Sequence, residues 1–450
     1  MEKPSGFWSK DSVTLKLIII GILSLVLLIP GSMIQSLIRE REITRNEVIS
    51  EINSKWGNMQ TIAGPIISIP YKTFYQKDNE LISTINYAHF LPDVLEIDGN
   101  INPEIRYRGI YKVIVYNSKL NFKGDFSKIN LDDYKIDNNN ILWDQAIMYV
   151  GIPDMRGINE DVKLTVNEKS CEVNSGIPVK DIVKCGITSN IKIPADSAVQ
   201  FEFNLDLNGS ESLNFLPIGK TTNVRIKSDW TTPSFTGAFL PDEREITNSG
   251  FMARWNILSL NRNYPKKWTN NAYFIDDSSF GLNLLFPVDH YQKVNRSVKY
   301  AIMFICFTFI IFFFSEILNK IRIHPVQYLL VGSALVIFYT LLISLSEIIG
   351  FGYSYLISSI MIIALIVFYY YNILKNTKSA IIICLIMILL YLFLFTVIQL
   401  QDYSLLIGSS GLFVVLAVIM YLSKNIDWYS PVIINKEAIN KEPSNTTKNE

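Results

Sequence analysis

The sequence predicts a membrane protein of mixed α and β class. Six transmembrane helices are expected, one N-terminal anchor and a five-helix C-terminal bundle, with a large exported, mainly antiparallel β domain inserted between helices 1 and 2. Three observations carry this. Residues 13–34, 298–318, 328–347, 353–373, 379–399 and 403–423 are nearly uncharged apolar stretches, each about 20 residues long and able to cross a hydrocarbon core of roughly 30 Å. The long segment between the first two is polar, and its apolar residues recur with period two rather than 3.6. Finally, the chain is 49% hydrophobic over 450 residues with a mean hydropathy of +0.23, between the values for soluble and wholly embedded chains.

Residues 1–12 read as a cytoplasmic N-terminus and 13–34 as the first span. The apolar run is longer than the core of a cleaved signal peptide, and Pro30-Gly31-Ser32 is a poor cleavage site, so an uncleaved anchor is expected. Residues 35–57 continue as a juxtamembrane helix, with Val48, Ile52 and Trp56 on one face and Gly57 at its end. Residues 58–295 form the β-rich domain. "GPIISIPYKTFY", "RGIYKVIVYNSKLNFKGDF", "SAVQFEFNLDLNGS" and "TNVRIKSDW" alternate apolar and polar residues and favour β-branched and aromatic types. Asp98-Gly99, Lys123-Gly124 and Asn208-Gly209 read as turns between strands, and the whole as a sandwich. Residues 296–423 hold spans 2–6, and 424–450 read as a disordered cytoplasmic tail.

Short connectors set the orientation. Lys320 and Arg322 follow span 2, Lys375 and Lys378 follow span 4, and Lys424 follows span 6, while 348–352 and 399–402 have no cation. The positive-inside rule then puts both termini in the cytoplasm and the large domain outside. Arg39, Arg41, Arg45, Lys293, Arg296 and Lys299 flank the large domain and pull the other way, but long domains translocate largely regardless of charge. Tyr and Trp mark both water boundaries: Trp8, Tyr328, Tyr369–Tyr371, Tyr421 and Trp428 inside, Tyr291, Tyr300, Tyr353 and Tyr403 outside.

The stretch "SEILNKIRIHPVQYLL" reads as a tight cytoplasmic hairpin. Glu316 and Lys320 form an i,i+4 pair in a last helical turn where long side chains reach water. Arg322 follows, His324 falls at the N-cap, and Pro325 opens the next helix. Glu347 and Asp402 belong at the outer surface. With no ionisable group expected at mid-membrane, coupled transport is disfavoured.

Charges balance at 41 basic and 41 acidic side chains, so nucleic acid is not an expected partner. The expected partners are the lipid bilayer and other envelope proteins, and the oligomeric state is open. Outside the membrane, Cys171 and Cys185 could close a disulfide loop worth about 3 kcal/mol, with two buried free thiols as the alternative. The sequence lacks G-x-S-x-G, Walker, H-E-x-x-H and EF-hand patterns. No catalytic, cofactor-binding or metal residue is therefore assigned. His89 reads as a strand-surface residue, and His290 as an interfacial cap beside Asp289. The densest polar cluster is "FLPDEREITNSGFMARW". Its Asp242, Glu243, Arg244, Glu245 and Arg254 form a candidate interaction cluster, more readily a solvated loop than an acid/base set.

"RGIYKVIVY", "LNFLPIGKTTNVRIKSDWTTPSFTGAFLPDEREITNSGFMARW", "PVDHYQKVNRSVKYAIMFI" and "RIHPVQYLLVGSALVIFYTLLISLSEIIGF" together resemble the CreD family of bacterial inner-membrane proteins, over about residues 56–423. The departure is Thr232, where a His often precedes the Pro-Ser-Phe element. The resemblance implies an inner-membrane location, a periplasmic large domain, production under a two-component stress response, and a role in envelope integrity. It implies no reaction, cofactor or catalytic residue. The rival readings are a membrane-anchored periplasmic enzyme and a lipid or solute transporter.

Overall fold

The computed structural model describes residues 13–78, 80–134, 136–193, 197–286, 290–319, 321–400 and 403–424. Trp8, Asp289, Lys320, Asp402, Trp428 and both terminal segments lie outside the described residues. Two compact units divide the chain: Met1–Thr44 with Val288–Glu450, and Arg45–Pro287.

In the first unit, α1 (Val13–Val26) and α2 (Leu28–Trp56) form an almost continuous apolar-to-polar helix. After the β unit come α3 (His290–Lys299), α4 (Ala301–Leu318), α5 (Pro325–Ile349), α6 (Phe351–Leu374), α7 (Thr377–Gln399) and α8 (Ser404–Ser423). Among the described residues, five helical segments are long and apolar enough to cross a membrane, and the apolar run of α8, Leu405–Tyr421, is shorter. Helix α1 packs on α4 and α5. There Leu27, 3% exposed, fills the space that a side chain at Gly332 would need, the small-residue packing that membrane helices use. The α4–α5 connection follows its sequence. His324 is the N-cap of α5, its Nδ1 accepts from the Val326 N–H at 3.3 Å, and the Gln327 side chain accepts from the His324 N–H at 2.8 Å. Pro325 takes the first helical position.

The second unit contains the end of α2 and seventeen strands among the described residues: β1 (Gln60–Lys77), β2 (Glu80–Phe90), β3 (Val94–Arg108), β4 (Tyr111–Phe126), β5 (Ile147–Gly151), β6 (Leu164–Val166), β7 (Lys169–Cys171), β8 (Asn174–Ser175), β9 (Gly186–Asn190), β10 (Val199–Ser210), β11 (Ser212–Phe215), β12 (Thr221–Ser228), β13 (Pro233–Gly237), β14 (Glu243–Thr247), β15 (Gly250–Leu258), β16 (Lys267–Thr269) and β17 (Phe280–Leu284). One sheet has the order β13-β17-β11-β1-β5-β9-β8, with β2 and β16 attached through β1; the other runs β14-β15-β12-β3-β4-β10-β6-β7. Among the described residues only β1/β11 and β3/β12 pair in parallel. One apolar cluster joins the two sheets. Trp255 of β15 lies 5.7 Å from Phe280 of β17, and Phe280 6.2 Å from Phe215 of β11. Strand alternation sends Leu95, Ile97, Phe122, Phe203, Leu205 and Ile226 into this core at 4% exposure or less, each worth about 1.5–3 kcal/mol of burial, and leaves their polar neighbours outside.

Three expected turns are strand interiors instead. Asp98-Gly99 lies within β3, Lys123-Gly124 within β4 and Asn208-Gly209 within β10. The glycines serve close packing. A Cβ at Gly99 would sit 2.5 Å from Leu120 Cδ2, and one at Gly124 would meet the Val94 carbonyl and lie 2.7 Å from the Phe201 ring. At Gly209 it would strike the Tyr116 hydroxyl, which donates to the Ser212 carbonyl at 2.8 Å.

The expected Cys171–Cys185 bridge is absent; both are free thiols. Cys171 ends β7, the outermost strand of the eight-stranded sheet, whereas Cys185 precedes β9 of the other sheet, and its carbonyl accepts from the Ile152 N–H at 3.0 Å. Closeness in sequence does not bring the two sulfurs to bonding geometry when the intervening chain crosses between sheets.

Candidate functional site

Because β3, β4, β10, β12 and β15 are in register, their outward residues form straight rows. Glu243, Arg254, Arg225, Asp98, Asn121 and Asn204 make one row across six strands. Beside it run Lys227, Asn100, Lys119 and Asp206 on one side, and Asn256, Asn223, Glu96, Lys123 and Glu202 on the other. Cross-strand neighbours this close interact directly. Asn121 Nδ2 donates to Asn204 Oδ1 at 2.7 Å, Lys123 pairs with Glu202 at 3.0 Å, and Arg225 pairs with Asp98. The 157–163 loop walls one side, where the Asn159 amide donates to Asp206 Oδ1 at 2.8 Å and Oδ1 of Asn208 at 2.9 Å.

The result is a groove of 640 Å³ over Asp98, Asn100, Lys119, Asn121, Asn204 and Lys227. It adjoins a second depression of 350 Å³ that shares Asp98 and Asn121 and ends at Arg254. Positive and negative groups interleave, and exposed pairs of this kind are worth only about 0–1 kcal/mol. A ligand can therefore exchange with them at little cost. The surface offers amide groups that both donate and accept, and no nucleophile paired with a base.

The candidate cluster of 239–255 is brought together at the edge of this same sheet. Asp242 Oδ2 accepts from the Asn256 N–H at 2.7 Å, and Arg254 lies 3.8 Å from Glu243. Glu243, Glu245 and Arg254 share the outward face, while Arg244, opposite Ala253, alternates to the other side. Charged side chains on an edge strand also discourage pairing with another chain. The sequence revealed this end of the face but not its extension over β3, β4 and β10. The signal was there in the alternating Asn, Asp and Lys of "NSKLNFKGD" and "EFNLDLNGS", which read only as solvated strand positions.

His89 is not on a strand surface. It is fully buried, with Nδ1 2.7 Å from Ser68 Oγ and Nε2 3.3 Å from Asp181 Oδ2. Ser68 Oγ is also 3.3 Å from the Tyr149 hydroxyl, and the Trp268 ring stands 5.7 Å away. With Nε2 donating to the carboxylate, Nδ1 accepts from Ser68. Burial lowers the His89 pKa, with Asp181 opposing. The serine–imidazole–carboxylate order is that of an activated nucleophile, but both Ser68 and His89 have no exposed surface.

Glu316 also departs from expectation. Instead of reaching water it is 6% exposed. It pairs with Lys16 of α1 and accepts from the Ile323 N–H and the Tyr328 hydroxyl, each at 3.1 Å. The helix places it on the packed side of α4, where α1, α5 and the connection between α4 and α5 supply the donors that a buried carboxylate requires. Next to it, Ser315 contacts the Tyr370 hydroxyl, and Asn319 Oδ1 accepts from Ser379 Oγ at 3.0 Å. Arg322 is exposed in the same connection. At the other end of α5, Glu347 accepts from the Tyr291 hydroxyl at 2.8 Å. Within the described parts of α4–α8 the ionisable acids and bases are thus confined to helix ends.

An apolar N-terminal helix, a two-sheet β unit and a following set of apolar helices define a polytopic membrane protein with a large insertion after its first span. The model of the family described as inner membrane protein CreD matches residues 12–429. The Escherichia coli K12 inner membrane protein CreD is 33% identical over 416 residues, covering 90% of this chain and 91% of that protein. The chain belongs to the CreD family.

Proposed function

We propose that this protein supports the integrity of the cell envelope without catalysing a reaction. Its β unit lies on the periplasmic side, its termini lie in the cytoplasm, and the open face of the eight-stranded sheet holds a polar envelope polymer. The observation that carries this reading is the continuous groove of interleaved amide and charged side chains centred on Asp98 and Asn121. Family membership supports the inner-membrane setting, and Arg322, Lys375 and Lys378 in short connectors support the orientation. The confinement of charge to helix ends argues against a coupled transporter, whose ionisable groups belong near the midplane. The enzyme reading now centres on Ser68, His89 and Asp181, and the closure of Ser68 and His89 argues against it.

A gene-deletion strain complemented with variants separates these readings. Loss of the protein raises sensitivity to cell-wall antibiotics and detergents. A face variant, Asn121→Leu with Asn204→Leu, fails to restore tolerance at normal protein level, while Ser68→Ala restores it fully. The opposite pattern, a silent face and an essential Ser68 hydroxyl, refutes the proposal in favour of catalysis. A tail-fused reporter active only in the cytoplasm checks the orientation.

A further inference from the structure

The rows of the open sheet face differ in how their charges are met. Along the row through Asp98 they are compensated: Arg225 pairs with Asp98, and Glu243 lies 3.8 Å from Arg254. Beside it, Lys123 pairs with Glu202 at 3.0 Å. On the other side run Lys227, Asn100, Lys119 and Asp206, across β12, β3, β4 and β10. Neither lysine side chain has an ion pair or hydrogen bond among the described residues, and the same holds for Glu160, Asp161 and Lys163 of the 157–163 loop. All these unpaired side chains are exposed, and all line the groove of 640 Å³.

The wall that carries the acids is fixed in place. Ile158 bridges to Leu207, the Asn159 N–H donates to the Asp206 carbonyl at 3.1 Å, and the Asn159 and Asn208 side chains exchange amide bonds at 2.9 and 2.7 Å. Asn117 Nδ2 donates to Asp206 Oδ1 at 2.5 Å. A Cβ at Gly157 would run into the Asn208 carbonyl, so the loop lies tight against β10. A wall and floor built before the ligand arrives lower the ordering cost of binding.

Charges of both signs stand unpaired in one cavity, and its ligand has to meet both. A polyanion is repelled by Glu160 and Asp161, a polycation by Lys119 and Lys227. A neutral glycan leaves all of them unmet, and the residues lining the groove include no aromatic ring to stack on a sugar. Asn100, Asn121 and Asn204 both donate and accept, as a peptide backbone does. Asn100 on β3 and Asp206 on β10 are two strand spacings apart, about 10 Å, which is the reach of an extended tripeptide. We infer that the part of the polymer held here is a zwitterionic peptide. Its carboxylate lies over Asn100 between Lys119 and Lys227, its ammonium against Glu160 and Asp161, and its amides on Asn121 and Asn204. The inference rests on the polymer-binding reading of this groove and names the chemical class that the groove selects.

The full-length protein in mild detergent is titrated with trialanine, N-acetyl-trialanine, trialanine amide and chitotriose, and affinities are read by ligand-observed NMR. Trialanine binds saturably, and blocking either end weakens it by about tenfold or more. Lys119→Gln with Lys227→Gln removes the preference for trialanine over its amide but keeps the preference over the N-acetyl form. Glu160→Gln with Asp161→Asn does the reverse. All four side chains are exposed, and an unchanged melting temperature shows that each variant is folded. No saturable trialanine binding, equal binding of blocked and free peptides, or unchanged selectivity in the folded variants overturns the peptide assignment. Chitotriose binding that is lost in Asn121→Leu with Asn204→Leu, without trialanine binding, overturns the peptide and leaves the polymer reading standing. Full tolerance restored by that leucine variant in the deletion strain overturns the polymer reading itself.

Discussion

Replacing Lys16 by Met tests whether the N-terminal helix is an integral part of the bundle. The Glu316 side chain is 8% exposed and that of Lys16 25%. Removing one partner of a buried ion pair costs about 3–5 kcal/mol, since the remaining charge stays desolvated. Two neutral donors remain on Glu316, the Ile323 N–H and the Tyr328 hydroxyl, and the quarter-exposed Lys16 is partly screened by water. The expected loss is therefore nearer about 2–3 kcal/mol. The double variant Lys16→Met with Glu316→Gln keeps an oxygen for the Ile323 N–H, lets the Tyr328 hydroxyl turn to accept from the new amide, and removes the stranded charge. It recovers most of the loss, with a coupling of about 1 kcal/mol or more. Cys306 on α4 and Cys384 on α7 are half-buried, so thiol labelling during titration with denaturing detergent reads bundle opening directly. Wild-type resistance of Lys16→Met, or additive losses in the double variant, refutes the reasoning and leaves α1 as a loosely held anchor.

Gly332→Val displaces Leu27 and the Phe309 ring, 2.9 Å from the added Cβ, and loosens α1 in the same labelling assay. Gly124→Ala, which drives a methyl group into the Val94 carbonyl, destabilises the β unit by about 1–3 kcal/mol; Gly99→Ala, which meets only side-chain ends, costs less, and thermal melts of the full chain give the order. The lowered pKa of His89 means that the unfolded chain takes up its proton first as pH falls below about 6.5. Stability of the β unit is full above that value and declines below it, until the folded pKa is reached, by at most about 1.4 kcal/mol per pH unit. His89→Gln removes this slope, and a stability that rises on acidification contradicts the assignment. Cys171→Ser with Cys185→Ser leaves the melting temperature under oxidising conditions unchanged, whereas a loss of about 3 kcal/mol would restore the disulfide.

Local sequence determined which segments are apolar helices, where the strands start after Trp56, and how α5 is capped at His324 and Pro325; it did not show that the strands stop at Leu284 and that α3 begins at His290, ahead of the expected boundary at residue 295. Each of the legible features depends on hydropathy, periodicity or a cap spanning a few adjacent residues, and such signals are read without knowing the fold. Tertiary structure decided the rest. Glu316 reads as a water-facing residue until Lys16, 300 positions earlier, is packed against it. His89 reads as a surface histidine until strand pairing sets it opposite Ser68 and a loop brings in Asp181. Asp98-Gly99 and Asn208-Gly209 read as turns because a glycine needed for a turn and one needed for close strand packing look alike in a linear chain. The polar rows over Asp98 and Asn121 exist only because six strands, drawn from distant parts of the chain, fall into one register. Register and the partners of buried charge are properties of long-range topology, which period-two alternation leaves undetermined.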